Sequence, residues 1–344
     1  MACDGPFFFS VVIVNWNGRH LLEECLDSIL AQEVADSEII VVDNGSQDGS
    51  VEFLNSRYDR KIRLIKLPSN KGWAGGNNKG IESALGKYVL LLNNDACLEA
   101  GFFSRLREGI SRHPEAGMYA TKIIDYYDRS VIDNTGLVIY RDGTARGRER
   151  RDKVVPEDDR EEEVLCPSGA AGVYMKELFD RVGLIDAAYF TYGEDTELGL
   201  RARRAGYRCF FLPSAVLYHK YSASSAPYTP SKIYYVERNR IWTVIKLFPW
   251  YAVVLSPFFT FARYLVGLAG LISGKGAVGK LSESHGTWDI FMSLLKAHAD
   301  AIKGIPGMLI KRRALRRISI VSDKEFMGYL ARFSARIAEV SFND

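Results

Sequence analysis

No C-x-x-C pair occurs in these 344 residues, and the five cysteines (Cys3, Cys25, Cys97, Cys166, Cys209) are odd in number and scattered. That pattern excludes a zinc knuckle and a disulfide framework, and is expected of a reducing cytoplasm. Charge of one sign is also scarce. Forty-five Lys and Arg stand against 42 Asp and Glu, and a net +3 gives no ground for a nucleic-acid partner. The G-x-x-x-x-G-K-[ST] phosphate loop is missing, so a kinase or ATPase of that kind is unsupported, and "GWAGG" at 72–76 is not the G-x-G-x-x-G of dinucleotide binders. The apolar "FFFSVVIV" (7–14) follows Asp4 and Pro6 without a basic leader, and is expected to be a buried strand rather than a signal-peptide core.

What is present is a folded composition, 47% hydrophobic and 25% charged, with short apolar runs alternating with amphipathic stretches. Strands are expected at 7–14, 38–43, 61–68 and 88–93, with helices at 20–32, 48–58 and 72–85 between them. Strands that are apolar throughout, separated by helices, indicate a mostly parallel sheet covered on both faces, the doubly wound α/β class. Ligands bind such sheets at the carboxyl ends of the strands. Four polar loops lie there in succession: "VNWNG", "DNGSQDGS", "NKGWAGG" and "NNDA". Residues 130–166 carry a basic block and then an acidic one. A solvated surface loop is the expectation, with a mobile loop on the acceptor side as the sharper alternative. A helix follows at 194–207, and two strand-like runs at 209–213 and 215–221.

Beyond residue 230 the chain becomes apolar. Its uncharged run from Leu247 to Ala262 is shorter than the roughly 20 residues that span a bilayer, and Pro249 and Pro257 divide it. Helices lying in or dipping into a membrane surface are therefore expected. Lys311, Arg312, Arg313, Arg316 and Arg317 are interleaved with apolar residues, which suits anionic head groups; a helix packed on the first domain is the alternative.

Several residues are suited to chemistry. Asp95, at a strand end beside Asn93 and Asn94, is a reasonable ligand for a hard cation such as Mg2+ or Mn2+, or else a cap for a helix starting near Glu99. Glu194 and Asp195 are either dipole-complementing caps or, beside an acceptor hydroxyl, a general base. His219 is a structural histidine, a metal ligand or a diphosphate contact. Asp43 and Asn44 suit the edge of a pyrimidine or a ribose, with Asn15 and Trp16 flanking the same ligand. Gly72 permits close backbone approach beside Trp73, and both join the expected donor contacts.

Taken together, "VVIVNWNG", "VVDNGSQDGS", "NKGWAGGNNKGI", "LLLNNDA", "VGLIDAAYFTYGEDTELGLRARRAGY" and "PSAVLYHKYS" resemble, in order, the blocks of family 2 glycosyltransferases of the GT-A fold. The likeness is greatest to rhamnosyltransferase-like members that build bacterial surface polysaccharides. It implies a GT-A catalytic domain at 1–230 and a helical, membrane-associating region at 231–344. Asp95 would hold the cation on a nucleotide-diphosphate sugar, with Asn94 near the ribose and His219 completing the metal site. Asn93 stands at the first position of the family's D-x-D motif. Asp195 would be the base, Glu194 its neighbour, and Asp43 and Asn44 the pyrimidine contacts. The implied activity is inverting transfer, with rhamnose from dTDP-rhamnose the favoured donor; the apolar stretch from Leu247 to Gly274 and the basic cluster at 311–317 fit a polyprenyl-diphosphate-linked saccharide acceptor at the cytoplasmic face of the cell membrane. A non-catalytic nucleotide-sugar binder and a processive synthase are the competing readings. The second generally carries several transmembrane helices and a Q-x-x-R-W motif, neither evident here.

Overall fold

The computed structural model describes residues 6–32, 35–155, 159–221, 229–272 and 286–342. Cys3, residues 156–158 of the acidic block and residues 273–274 of the apolar run lie outside them. The first half follows the expected alternation: β1 (Phe7–Asn15), α1 (Arg19–Leu30), β2 (Ser37–Asp43), α2 (Ser50–Tyr58), β3 (Arg63–Lys66), α3 (Gly72–Ser83) and β4 (Gly86–Asn93). β3, β2, β1 and β4 lie side by side and parallel, so their carboxyl ends share one edge.

Side chains of a strand alternate between faces, and β1 shows why its run must be apolar throughout. Phe9, Val11 and Ile13 pack with Leu22, Cys25 and Leu26 of α1 and with Phe102 and Leu106 of α4 (Phe102–Arg112). Val12, between them, faces the other way onto the cluster holding Ala74 and Ile81 of α3. Each such fully buried aliphatic side chain contributes about 1.5–3 kcal/mol relative to exposure. α3 lies so close to β1 that a Cβ on Gly80 would fall 2.1 Å from Val12.

The second half makes the sheet mixed. β5 (Ala96–Leu98) is followed by α4 and β6 (Met118–Asp125); β11 (Ala171–Met175) then inserts antiparallel between β4 and β6. Next comes α5 (Lys176–Val182), then α6 (Glu194–Arg204), with an acidic first turn and a basic last one, as its dipole favours. The two expected runs at 209–221 are one strand, β12 (Cys209–His219), parallel to β6 with a register shift between Leu212 and Val216.

Two expectations are corrected. Residues 130–150 are not the solvated loop expected for 130–166, although most of the described residues from 151 to 162 are exposed. The segment as a whole forms β7 (Ile132–Asn134), β8 (Leu137–Ile139), β9 (Ala145–Gly147) and β10 (Glu162–Glu163), with Asp133, Asn134 and Asp142 buried. Partners supplied by the rest of the fold make this possible: Lys122 pairs with Asp159, Arg203 with Glu163, and Arg240 with Asp142. A buried charge persists only when paired and hydrogen-bonded. Secondly, Pro249 separates two helices but Pro257 does not. α7 (Pro230–Leu247) ends before Pro249, whereas α8 (Trp250–Ile272) runs through Pro257. The ring removes one bond to the Val253 carbonyl, and the helix is held by an inner face of Ala252, Ser256, Thr260 and Arg263. Trp250–Ala269 is thus a 20-residue stretch of mean hydropathy 1.6, long and apolar enough to cross a bilayer by length and composition.

α9 (Thr287–Arg316), α10 (Asp323–Arg332) and α11 (Ile337–Phe342) complete the described chain. Val244, Leu247 and Phe248 join Leu315 and Phe326 in the same cluster as Val12 and Leu198, so one hydrophobic core continues across residue 230. The basic cluster is divided. Lys311 pairs with Asp186, and buried Arg312 donates to the Ile245 carbonyl and lies over the Trp250 ring, while Arg313, Arg316 and Arg317 are exposed.

Candidate active site

A cavity of about 1400 Å3 opens along the carboxyl edge of the sheet. Asn44, Gly72, Trp73, Asn94, Asp95, Glu194, Asp195 and His219 line it, as does Trp16. Asn15 and Asp43 stand behind its wall. The Asn15 amide donates to Asp43 at 3.3 Å and its oxygen accepts from Asn94 at 2.9 Å, tying the ends of β1, β2 and β4 together. Asn44 is similarly engaged, donating to Asn70 and to the Gly72 carbonyl (both 3.0 Å) and accepting from the Lys71 N–H (2.9 Å). Gly72 has φ +74, and a Cβ there would lie 2.2 Å from the Phe190 carbonyl, so the turn into α3 requires glycine.

Two strand ends, β4 and β12, bring Asp95 and His219 together. The short β5 that follows Asp95 pairs antiparallel with β12, placing Ala96 opposite His219; a strand, not a helix cap, follows Asp95. His219 Nε2 lies 3.1 Å from Asp95 Oδ1, and its Nδ1 donates to Asp133 Oδ2 at 2.7 Å. Burial works against a charged imidazole, but the Asp95 and Asp133 carboxylates outweigh it and raise the His219 pKa to about 10. Asn93 holds the indole of Trp73, accepting from Nε1 at 3.0 Å, and its amide nitrogen faces His219 Nε2 at 3.5 Å. Among the described residues no group of three or more His, Cys, Asp or Glu forms a ready-made metal cage. An imidazole backed by a carboxylate and facing a second one is nonetheless a donor set that fits a divalent cation sharing its remaining sites with substrate phosphates.

Asp195 and Glu194 open α6 after Gly193, whose φ of +85 turns the chain into the helix. The Gly169 N–H (2.9 Å) and the Thr196 N–H (2.6 Å) hold the two Asp195 oxygens. Burial raises the Asp195 pKa, and these bonds oppose the rise. Glu194 is buried more completely, its Oε2 has no hydrogen-bond partner among the described residues, and burial together with the Asp195 charge raises its pKa to about 8. Burial and the neighbouring carboxylate thus favour the protonated form of Glu194 at neutral pH. A Cβ on Gly169 would stand 3.2 Å from Asp195 and 3.3 Å from Trp73. Asp195, Trp73, Asn93, His219 and Asp95 thus follow one another along a single wall.

Sequence reasoning missed Asp133, Arg150 and Gly169. The first two sit in the segment taken for a loop, where only the apolar flanks of "VID" hinted at a strand. The cavity also reaches farther than the strand ends, past Lys232 and Tyr235 of α7 to Gly267 and Leu268 of α8 and Phe291, Leu294 and Leu295 of α9.

The family model for glycosyl transferase family 2 matches residues 10–183, just over half of the chain. A succinoglycan biosynthesis protein, ExoO, of Rhizobium meliloti is 31% identical over 215 residues, covering 60% of this chain and 59% of the relative, so less than two thirds of that protein's length is spanned. An N-acetylglucosaminyl-diphospho-decaprenol L-rhamnosyltransferase of Mycobacterium tuberculosis is 28% identical over 239 residues, covering 61% of this chain and 75% of the relative. Among solved structures, GalNAc-T7 with UDP, GalNAc and Mn2+ superposes with a TM-score of 0.57 at 17% identity, covering 71% of this chain and 48% of that one; this likeness is one of fold. On the strength of the family match, the chain belongs to glycosyl transferase family 2.

Proposed function

We propose that this protein is a divalent-cation-dependent, inverting glycosyltransferase, and that it moves a sugar from a nucleotide diphosphate to a hydroxyl of a lipid-linked saccharide in surface polysaccharide synthesis. The observation that carries the reading is that Asp95, His219 and Asp195, from three distant parts of the chain, line one cavity. Asp95 and His219 would hold Mg2+ or Mn2+, and such a cation supplies positive charge against a departing diphosphate. Asn94 and Asn44 face the ribose and base side, with Asn15 and Asp43 supporting them from behind. Trp73, fixed by Asn93, forms the floor between the donor side and Asp195.

Asp195 takes the proton of the acceptor hydroxyl as that oxygen attacks the anomeric carbon from the side opposite the leaving group, which inverts the centre. Its raised pKa moves it toward the range in which a base is effective, and Glu194, being neutral, does not compete for the proton. Rhamnose from dTDP-rhamnose is the favoured donor, supported by the M. tuberculosis relative's name. The same name supports a polyprenyl-diphosphate acceptor, and the apolar reach of the cavity suits it. The protein works at the cytoplasmic face of the membrane; contact with a membrane is supported by α8, whose Val254, Phe258 and Phe261 are 75%, 69% and 61% exposed.

The test is a panel of dTDP- and UDP-sugars scored for thermal stabilisation with Mn2+ or Mg2+, followed by transfer assays with the donor that stabilises most. A cation-dependent rise with dTDP-rhamnose supports the reading. No response to any nucleotide sugar with either cation overturns it.

A further inference from the structure

The histidine at the end of β12 does not stand alone in the cavity wall. Its Nδ1 donates to Asp133 Oδ2 at 2.7 Å, and Asp133 is 7% exposed, so water does not compete for that bond. The other Asp133 oxygen, Oδ1, is held by Arg150, whose guanidinium lies 4.0 Å from the centre of the Tyr221 ring. Tyr221 in turn meets the His219 ring edge-on, with centroids 6.2 Å apart. The imidazole is therefore fixed from its Nδ1 side and by the Tyr221 ring, and Nε2 points at Asp95, 3.1 Å away, with the Asn93 amide nitrogen at 3.5 Å. The excursion between β6 and β11 delivers these groups: β7 pairs with β6, β6 with β12, and Asp133 is the central residue of β7.

We infer that Asp133, itself held by Arg150, is a positioning residue that sets the tautomer and ring orientation of His219 so that Nε2 presents its lone pair to a divalent cation shared with Asp95. The physical reason is that an imidazole binds a cation through a deprotonated nitrogen. A carboxylate that accepts from Nδ1–H keeps the proton there and makes Nε2 the more basic donor. Without Asp133 the neutral ring is free to carry its proton on Nε2 and to turn about χ2. The inference rests on the cation site under Proposed function and adds to it a residue that touches neither cation nor sugar nucleotide.

The experiment is a Mn2+ titration of the full-length protein followed by electron paramagnetic resonance, with and without UDP, for the wild type, Asp133→Asn and Asp133→Ala. Outer-shell carboxylates of this kind are worth about 10–100-fold in metal affinity. Asp133→Asn, which keeps an acceptor oxygen but loses the charge, should weaken Mn2+ about 10-fold, and Asp133→Ala about 100-fold. In parallel, long-range 1H–15N spectra taken with UDP and a concentration of diamagnetic Mg2+ that saturates the wild type, where a cation on Nε2 leaves only the Nδ1 proton, should show the single Nδ1–H tautomer in the wild type and a mixture of ring states in Asp133→Ala. A purely structural role would not move that signature. Folded variants that bind Mn2+ within a factor of two of the wild type, with the Nδ1–H tautomer retained, overturn the inference while leaving the cation site standing. Should Asp133→Ala fail to fold, the isosteric Asp133→Asn decides by the same criterion. A wild type that binds no Mn2+ in either condition overturns the cation site itself, and this inference with it.

Discussion

The strand-end cavity and the outer face of α8 break the ordinary rule of burial in opposite directions. At the strand ends, Asn15, Asp43, Asn94, Asp95, Glu194 and His219 are buried although polar; on α8, Trp250, Val254, Phe258, Phe261 and Leu265 are exposed although apolar. Isolated exposed apolar residues are ordinary, and buried polar ones are tolerated when satisfied. A cluster of either kind runs against stability, and the helix that carries the second also reaches the cavity of the first, through Tyr264, Gly267 and Leu268. The first gathers fixed hydrogen-bonding groups, which suit a polar, charged ligand, whereas the second leaves bare hydrocarbon at the surface, which suits the membrane proposed above. Arg263 marks the seam, being the only charged residue of α8. It turns inward to Asp142 and to Glu237, itself bound to Arg240 and Tyr264.

The comparison is broken most severely at Asp195. Asp195→Asn should lower kcat by about 10^2–10^4-fold, the usual worth of a general base, with nucleotide-sugar binding largely kept; steady-state kinetics beside a donor thermal shift check this. Cutting the seam comes next. Arg263→Met leaves Asp142 and Glu237 with one fewer buried partner and should cost about 3–5 kcal/mol in denaturant unfolding.

Glu194 supplies a smaller effect with a defined sign. Its folded pKa, about 8, lies above the ordinary 4.5, so the folded state holds the proton more tightly than the unfolded one. Its stabilising contribution is complete below pH 4.5 and is lost as pH rises to about 8. Glu194→Gln should therefore match the wild type near pH 5 and exceed it at pH 9 by on the order of a few kcal/mol, read from unfolding at the two pH values. The smallest effect belongs to the apolar face. Phe258→Asp should leave the unfolding free energy within about 0.5 kcal/mol, since the ring is exposed, yet lower sedimentation with anionic vesicles roughly 10-fold. Unchanged vesicle binding would detach α8 from any membrane role.

The strands of the first half were legible because a sheet covered on both faces demands unbroken apolar runs, and "SVVIV", "IIVV" and "VLLL" have no other reasonable place in a soluble fold. Asp95, Asp195 and His219 were legible because each ends an apolar run or opens a helix. Asp133 and Arg150 were not, since nothing in "VIDNTG" or "RGRERR" announces burial. Their partners lie 86 and 17 residues away in the chain, and charge beside charge reads as a solvated loop. Pro257 misled in the same way, because whether a proline divides a helix depends on what holds the turns around it.

Local pattern, then, determined the sheet, its carboxyl edge and the residue types gathered there, because periodicity and strand ends are properties of short stretches of chain. Only tertiary structure decided which charges pair, which carboxylate each nitrogen of His219 faces, and that one core continues from the sheet into the last helices. Those outcomes depend on groups far apart in sequence being desolvated together, and the energy of a buried ion pair or a shared core exists only after the chain has closed on itself.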